Sequence, residues 1–260
     1  MRSIPESLAT TQQFSSRLDL VGVKRVAIVP AYNEAACIAS VIEEIRAVDP
    51  DVEIVVIDDG STDATGHVAA RKGAEVVRLP YNLGIGGAVQ TGYQYARAHG
   101  FDIAIQIDAD GQHDPADLPK LLEPILRHEA DLVVGSRFAG STSGYRGSIL
   151  RRVGIQIFAH VVSLIARQRV TDTTSGFRAA NRRAIRLFAA DYPHDYPEVE
   201  ATVLVHRHKL TMVEVPVAMR TRASGRSSIN AFRSVYYMVK VMLALFVGLF
   251  RRYATPLHEE

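Results

Sequence analysis

The residues whose types and spacing favour chemistry are Asp108, Asp110 and Gln112, within the stretch DADGQH at 108–113. They follow residues 102–107 (DIAIQI), an apolar run that predicts a buried strand. An Asp-x-Asp pair on an extended segment directs both carboxylates to one side, and Gln112 adds a third oxygen ligand. Hard oxygen ligands suit Mg²⁺ or Mn²⁺ bound together with substrate phosphates. The alternative is a polar turn that only ends a strand.

Other polar groups also follow predicted strands. YNE at 32–34 follows the strand 25–31, DDGSTD at 58–63 follows 52–57, and Ser136-Arg137 follows 131–135. Helical patterns lie between the strands, at 35–48, 63–72 (with Ser61 or Thr62 as its cap), up to residue 98, and at 115–128. Repeated strand-helix units build an α/β fold, a parallel sheet with helices on both faces. The polar groups should therefore meet at the carboxyl edge of the sheet.

Glycines cluster at 84–87 (GIGG), before a predicted helix. Such a cluster suggests dinucleotide binding, because glycines at a helix start let phosphate approach backbone donors. This cluster follows the third predicted strand, at 74–79, rather than the first, and the Gly-x-Gly-x-x-Gly spacing is not met. We therefore expect close loop packing beside the site, with Asn82 supplying a polar contact.

The second half of the chain has a different composition. A glycine- and serine-rich loop at 139–147 precedes a predicted helix at 148–166, a polar loop at 171–178, a helix at 198–208 and a strand at 212–217. Nine arginines between residues 137 and 183 face a single acid, Asp172. This imbalance predicts a surface for anions such as phosphates, acidic lipids or nucleic acid, unless it is only a solvated basic face.

The 260 residues, 47% of them hydrophobic, suit one large domain or a domain with an appendage. A single cysteine, Cys37, excludes an internal disulfide framework and is compatible with a reducing compartment. Residues 1–22 have no apolar signal core and are predicted to be a polar leader. The predicted catalytic domain is then 23–228, and an apolar segment and tail fill 229–260.

The apolar segment at 229–250 bears on location. Its continuous part is shorter than the roughly 20 apolar residues of a membrane span, and Lys240 interrupts it. Arg226, Arg233, Arg251 and Arg252 flank it, which favours a helix lying in the lipid headgroup layer. The alternative is a helix of the core or of a dimer interface.

The motifs, taken in order, resemble family 2 glycosyltransferases of the GT-A fold, a Rossmann-like, mixed and mostly parallel sheet with helices on both faces. They are VPAYNE at 29–34, VIDDGSTD at 56–63, NLG at 82–84 and DADGQH at 108–113. The later GSR at 135–137 and DTTSGFR at 172–178 resemble the dolichyl-phosphate mannose synthase branch, which transfers sugars to polyprenyl phosphates. The resemblance covers residues 26–226. It departs from the family at Gly111, where an apolar residue is usual, and in lacking a clear transmembrane pair.

The resemblance implies roles for individual residues. Pro30, Tyr32, Glu34, Asp58, Asp59, Asn82 and Gly84 would bind the nucleotide, with Asp59 on the base or ribose. Asp108 would lie by the ribose and diphosphate and, with Asp110 and Gln112, would hold Mg²⁺ or Mn²⁺. Arg137, one of Arg151 or Arg152, and Arg226 would bind phosphates. Asp108, Asp110, Arg137 and Asp172 form the expected catalytic group.

The expected activity is metal-dependent, inverting transfer from a GDP- or UDP-sugar to a polyprenyl phosphate. We expect it at the cytoplasmic face of the membrane, in a peripheral or monotopic protein with no nucleic-acid partner. A second copy of the chain, in a homodimer, or a small membrane protein is expected as a further partner.

A phosphate acceptor is already anionic and needs no strong base. A soluble hydroxyl acceptor, the closest alternative, would need Asp172 or Glu198 as a base. A non-catalytic nucleotide-sugar-binding protein is the alternative of another class; a nucleotidyltransferase is disfavoured because no glycine-rich phosphate loop follows the first strand.

Overall fold

The computed structural model describes residues 20–139, 163, 170–194 and 196–220. Several predictions from the sequence fall outside these ranges. They concern the leader, nearly all of the helix at 148–166, Arg151, Arg152 and Arg226, and the apolar segment at 229–250. Within the described residues, no helix is both long and apolar enough to cross a bilayer.

Seven strands form one sheet. They are β1 (Arg25–Ala31), β2 (Glu53–Asp58), β3 (Glu75–Arg78), β4 (Ile103–Gln106), β5 (Leu132–Ser136), β6 (Arg178–Asn181) and β7 (Met212–Pro216). The α-helices of the described residues are α1 (Ile38–Val48), α2 (Thr65–Arg71), α3 (Gly84–Ala98), α4 (Leu118–Leu126), α5 (Arg182–Ala190) and α6 (Pro197–Arg207). A 3₁₀ turn at Pro115–Asp117 precedes α4.

The sheet order is β3-β2-β1-β4-β6-β5-β7, and every neighbouring pair is parallel except the two that involve β6. β6 runs antiparallel between β4 and β5, so Arg178 at its start pairs with Gln106 near the end of β4 and with Val134 of β5. The residues just before β6 therefore lie at the same edge as the carboxyl ends of the parallel strands. This reversal confirms the mixed, mostly parallel sheet implied by the resemblance.

The core has two halves, one on each face of the sheet, because side chains of a strand alternate between faces. In β1, Val26 and Ile28 join the half that is completed by α3 and α5, whereas Ala27 and Val29 join the half completed by α1 and α4. The approach of α3 is close: a Cβ on Gly92 would lie 2.2 Å from Cγ2 of Ile28. Helices on both faces, as predicted, enclose a sheet that is buried at its centre.

Two local predictions were wrong or incomplete. The cap of α2 is neither Ser61 nor Thr62, because the helix begins only at Thr65 and Asp63 Oδ1 accepts the Thr65 N–H at 2.9 Å. The sequence analysis also missed β6 and α5. The four residues of β6 (RAAN) lack an apolar run. The start of α5 could have been predicted from Asn181, an N-cap residue whose side chain accepts the N–H groups of Arg183 and Ala184.

Candidate active site

The turn after β4 gathers the predicted metal ligands. Asp110 is buried and its Oδ1 accepts the Gln112 N–H at 3.0 Å, whereas the side chain of Asp108 is about a third exposed. Gly111, between Asp110 and Gln112, has a φ of 74°, in the left-handed region, and a Cβ there would meet no atom within 4 Å. The glycine that departs from the family pattern is thus explained by the backbone of the turn rather than by lack of space.

His113 supports this turn, a role that the sequence analysis did not assign. Its Nδ1 accepts the Asp108 N–H at 3.1 Å, and its ring stacks on Phe177 with centroids 4.9 Å apart. Burial lowers the pKa of His113 to about 4, so the ring is neutral at pH 7. With Nδ1 as the acceptor, Nε2 carries the proton, and Nε2 lies 3.7 Å from Asp108 Oδ2. His113 thereby fixes the backbone of Asp108, and its Nε2, which makes no hydrogen bond within the described residues, lies beside the Asp108 carboxylate.

The donor set suits a hard divalent cation. Two carboxylates and an amide, all with oxygen atoms, lie within one five-residue turn, and Mg²⁺ or Mn²⁺ accepts such ligands together with phosphate oxygens. No group of three His, Cys, Asp or Glu side chains in the described ranges could hold a metal by itself. A cation here would therefore depend on Gln112 and on the substrate to complete its coordination.

The loops after β1 and β2 lie together at the carboxyl edge, as predicted. Asn33, at a φ of 55°, accepts the Thr62 N–H through Oδ1 at 2.9 Å, and its own N–H donates to Ser61 Oγ at 3.0 Å. The Glu34 N–H donates to Thr65 Oγ1 at 2.9 Å. Pro30 is buried within β1, opposite Ile57, whereas Tyr32 just beyond is 47% exposed. Tyr32 is therefore available to a ligand at this edge.

Asp58, Asp59, Asn82 and Gly84 also meet there, but Asp59 has a structural task. Its Oδ1 accepts the Leu83 N–H at 2.7 Å and its Oδ2 the Gly84 N–H at 3.0 Å, so the carboxylate satisfies free donors at the start of α3. Asn82 Oδ1 also accepts the Gly84 N–H. The expected packing role of the glycine stretch agrees with this, and contact of Asp59 with base or ribose stays a prediction.

Arg137 and Asp172 form the second half of the site. Arg137 Nε and Nη2 each donate to one Asp172 oxygen at 2.7 Å, and the Arg137 backbone N–H donates to Oδ2 at 3.1 Å. Burial raises the pKa of Asp172, but the hydrogen bonds and charge of Arg137 outweigh burial and hold that pKa below its ordinary value. Asp172 is therefore a poor base, and its role is to orient the guanidinium.

Glu214 of β7 braces the same loop, and sequence reasoning missed it. Its carboxylate accepts the backbone N–H groups of Thr171 and Asp172 at 2.8 to 3.0 Å and the Thr171 hydroxyl at 2.7 Å. The other predicted base, Glu198, lies in the first turn of α6. Burial raises the pKa of Glu198; the charge of Arg178 lowers this pKa and that of Asp108 raises it further. Of the two predicted bases, Asp172 and Glu198, only Glu198 therefore has a raised pKa.

The arginines of the arginine-rich region that the structure describes are paired or buried. Arg182 pairs with Asp102 at 2.6 Å, Arg183 pairs with Asp131 at 3.2 Å, and Arg178 is buried. The acids that pair with Arg182 and Arg183 lie more than 50 residues away in the sequence, and Arg178 binds backbone carbonyls. A count of charges along residues 137–183 could not reveal these partners. For Arg178, which is buried, the predicted anion-facing role was wrong; for Arg182 and Arg183, whose side chains are more than half exposed, it stays a prediction.

Comparisons with known proteins agree with this geometry. The family model "Glycosyl transferase family 2" matches residues 26–191. An undecaprenyl-phosphate mannosyltransferase of Micrococcus luteus is 30% identical, over 78% of this chain and 86% of its own length. A UDP-N-acetylglucosamine–dolichyl-phosphate N-acetylglucosaminyltransferase of Methanococcus voltae is 31% identical, over 83% of this chain and 95% of its own length.

A solved structure shares the fold. Glucosyl-3-phosphoglycerate synthase from Mycobacterium tuberculosis, in complex with Mn²⁺, UDP and glucosyl-3-phosphoglycerate, superposes with a TM-score of 0.65 at 22% identity, covering 95% of this chain and 85% of its own. The sequence matches confirm the resemblance to the polyprenyl-phosphate branch, and the structural match confirms the GT-A fold. The carboxylate turn (residues 108–113) and the arginine loop (Arg137 and the loop of Asp172 that it pairs with) lie on one edge of a GT-A sheet. The chain belongs to glycosyl transferase family 2 and is a glycosyltransferase.

Proposed function

We propose that this glycosyltransferase moves a sugar, with inversion and with a divalent cation, from a nucleoside-diphosphate sugar to a polyprenyl phosphate at the cytoplasmic membrane face. The observation that carries the proposal is the surroundings of His113. His113 Nδ1 accepts the Asp108 N–H, and the His113 ring stacks on Phe177 of the loop that carries Asp172, the partner of Arg137. The carboxylate turn and the Arg137–Asp172 pair are therefore neighbours at one edge of the sheet.

This arrangement suits departure of a nucleoside diphosphate. A bound Mg²⁺ or Mn²⁺ would neutralise charge that develops on the leaving phosphate oxygens. Asp108, Asp110 and Gln112 would hold the cation, and His113 would keep Asp108 in place. Arg137, oriented by Asp172, would present its planar guanidinium to a phosphate, which it binds through parallel hydrogen bonds.

The acceptor class is inferred from two observations. The named relatives from M. luteus and M. voltae carry undecaprenyl phosphate and dolichyl phosphate in their names. In this chain Asp172 is held ionised by Arg137 and is a poor base. A phosphate monoester, whose oxygen is already anionic at neutral pH, needs no proton removed, so a site without a free base beside Arg137 suits it.

A soluble hydroxyl acceptor is the second candidate, and the raised pKa of Glu198 favours it. A carboxyl group with an elevated pKa is a better general base than an ordinary one. Glu198→Gln separates the two candidates, because it preserves size and removes the base. Transfer to a hydroxyl acceptor should then fall by about 10²-fold or more, whereas transfer to a phosphate acceptor should keep its rate.

The direct test is a panel of GDP- and UDP-sugars with and without undecaprenyl or dolichyl phosphate, in Mg²⁺, Mn²⁺ or a chelator. The expected result is release of nucleoside diphosphate that requires the lipid phosphate and a cation, with the sugar recovered in the organic phase. Turnover unaffected by chelator would contradict the cation. Binding of donor without release under any condition would support the non-catalytic alternative.

A further inference from the structure

Arg178 is a fully buried arginine at the start of β6, and the proposed chemistry does not use it. Its Nε donates to the carbonyl of Ser175 at 2.9 Å and its Nη2 to the carbonyl of Glu198 at 2.7 Å, while Nη1 has no hydrogen-bond partner in the described part of the chain. Among the described residues it has no carboxylate within ion-pair distance, unlike the equally buried Arg25, which is paired with Asp49. Burying a guanidinium without a carboxylate partner is energetically costly.

The Ser175 carbonyl belongs to the segment that lies against Asp108. A Cβ on Gly176, the next residue, would lie 3.0 Å from both carboxylate oxygens of Asp108 and 3.1 Å from Gln106 Nε2. The backbone at Gly176 is outside the left-handed region, so glycine is needed there for space and not for conformation. The segment that Arg178 fixes is therefore one wall of the Asp108 carboxylate.

His113 is a second neighbour of that carboxylate, with Nε2 3.7 Å from Asp108 Oδ2, and its ring stacks on Phe177. Phe177 lies between Gly176 and Arg178 in the sequence, so both neighbours depend on the same short segment. Arg178 ties that segment to the first turn of α6 through the Glu198 carbonyl. One side chain thus connects β6, the loop before it and α6 at the point where they surround Asp108.

We infer that Arg178 and Gly176 are positioning residues, which set the direction of the Asp108 carboxylate toward a bound divalent cation. The inference rests on the proposed function, because it takes Asp108 as a cation ligand. Groups that orient a metal ligand commonly change metal affinity by about 10- to 100-fold when they are altered. The effect should therefore be seen in cation affinity itself.

The test uses Gly176→Ala and Arg178→Lys, with Arg25→Lys as the matched control. Arg178→Lys keeps the charge but cannot bridge two carbonyls with a planar fork, and Gly176→Ala pushes on the Asp108 oxygens directly. Mn²⁺ affinity is measured by calorimetry or electron paramagnetic resonance on the full chain, with UDP and GDP in turn, beside the melting temperature of each variant. Arg25→Lys should lower the melting temperature and leave Mn²⁺ affinity unchanged.

We expect Gly176→Ala and Arg178→Lys each to weaken Mn²⁺ binding by about tenfold or more. Binding within about twofold of wild type in both would overturn the inference and leave the proposed function standing. If Arg178→Lys does not fold, Gly176→Ala decides alone, because an added methyl at this position is a small change. A wild-type protein that binds no Mn²⁺ with either nucleotide would overturn the cation dependence and this inference together.

Discussion

Asp110 is the residue whose replacement most directly tests the cation. Asp110→Asn keeps an oxygen acceptor for the Gln112 N–H but removes the charge, so the turn should persist while the electrostatic contribution is lost. We expect turnover to fall by about 10²-fold or more at saturating cation, measured as nucleoside diphosphate release. Asp114→Asn, a nearby acid that pairs with Arg220, is the control and should retain activity. Near-normal rates in Asp110→Asn would refute its role as a ligand.

Arg137 should affect the acceptor more than the donor. Arg137→Lys retains the charge but loses the two parallel hydrogen bonds to Asp172, so the charged side chain at position 137 is no longer held in one orientation. Charge-assisted hydrogen bonds contribute about 1.5 to 3 kcal/mol, and we expect the KM for polyprenyl phosphate to rise about tenfold or more while that for the donor changes little. Arg183→Lys, in the more exposed pair with Asp131, is the control. Equal changes in both KM values would argue against acceptor binding.

The same pair predicts a dependence of stability on pH. The folded pKa of Asp172 lies below its ordinary value of 3.8, so its stabilising contribution is present above the unfolded pKa and is lost as the pH falls through the folded pKa. The stability difference between wild type and Asp172→Asn should therefore be constant above about pH 5 and shrink below it. Urea unfolding at several pH values measures this difference. A difference that grows toward acid would contradict the lowered pKa.

At the scale of elements, α3 is placed by the absence of a side chain at Gly92. Gly92→Ala would push a methyl group into Ile28 Cγ2 and should destabilise the fold by about 1 to 3 kcal/mol. Ile28→Ala alone leaves a cavity and should cost about 2 to 5 kcal/mol. Because the added methyl would occupy part of that cavity, the double variant should lose less than the sum of the two single variants. Additive losses in urea unfolding would show that α3 shifts away instead.

Most strands could be predicted from the sequence, because β1, β2, β4 and β5 are largely apolar runs that end in polar residues or directly before them. The edge of the sheet where the site forms followed from the rule for parallel strands. β6 could not be predicted, because two alanines between Arg178 and Asn181 show neither alternation nor an apolar run. Its burial is decided by β4 and β5 on either side.

The site was predicted in part for a related reason. Asp108, Asp110 and Gln112 lie within five residues of one another in the sequence, so their position on one turn could be predicted. The tasks of Asp59 and His113 and the pairing of Arg137 with Asp172 depend on backbone donors and on contacts across as many as 35 residues. Local pattern carries no information about such contacts, and only the assembled sheet specifies them.

At the scale of the whole molecule, the apolar segment at 229–250 predicts how the enzyme reaches a lipid. Each buried CH₂ of the acceptor is worth about 0.8 kcal/mol, so a long-chain lipid stays in the bilayer and the site must come to it. We expect the protein to sediment with anionic liposomes, to be released partly by high salt and more fully by detergent. Truncation before Ile229 should reduce activity on a long-chain acceptor and spare a short, water-soluble one.

The control for that experiment is the truncated protein's melting temperature, which shows whether the catalytic domain remains folded. Unchanged liposome binding and unchanged turnover of the long-chain acceptor after truncation would assign the segment to protein packing. The soluble-acceptor candidate would then gain support.

The position of β6 has a consequence for synthesis on the ribosome. Chains emerge from the amino terminus, so β3, β2, β1 and β4 can associate early, but β5 pairs only with β6 and β7 and must wait for both. Until residues 178–181 are made, the backbone of β4 has an open edge, which invites pairing with other chains. The residues of the carboxylate turn are thus made before the loop of Asp172 that completes the site, and the nascent enzyme becomes competent only after its reversed strand has been inserted.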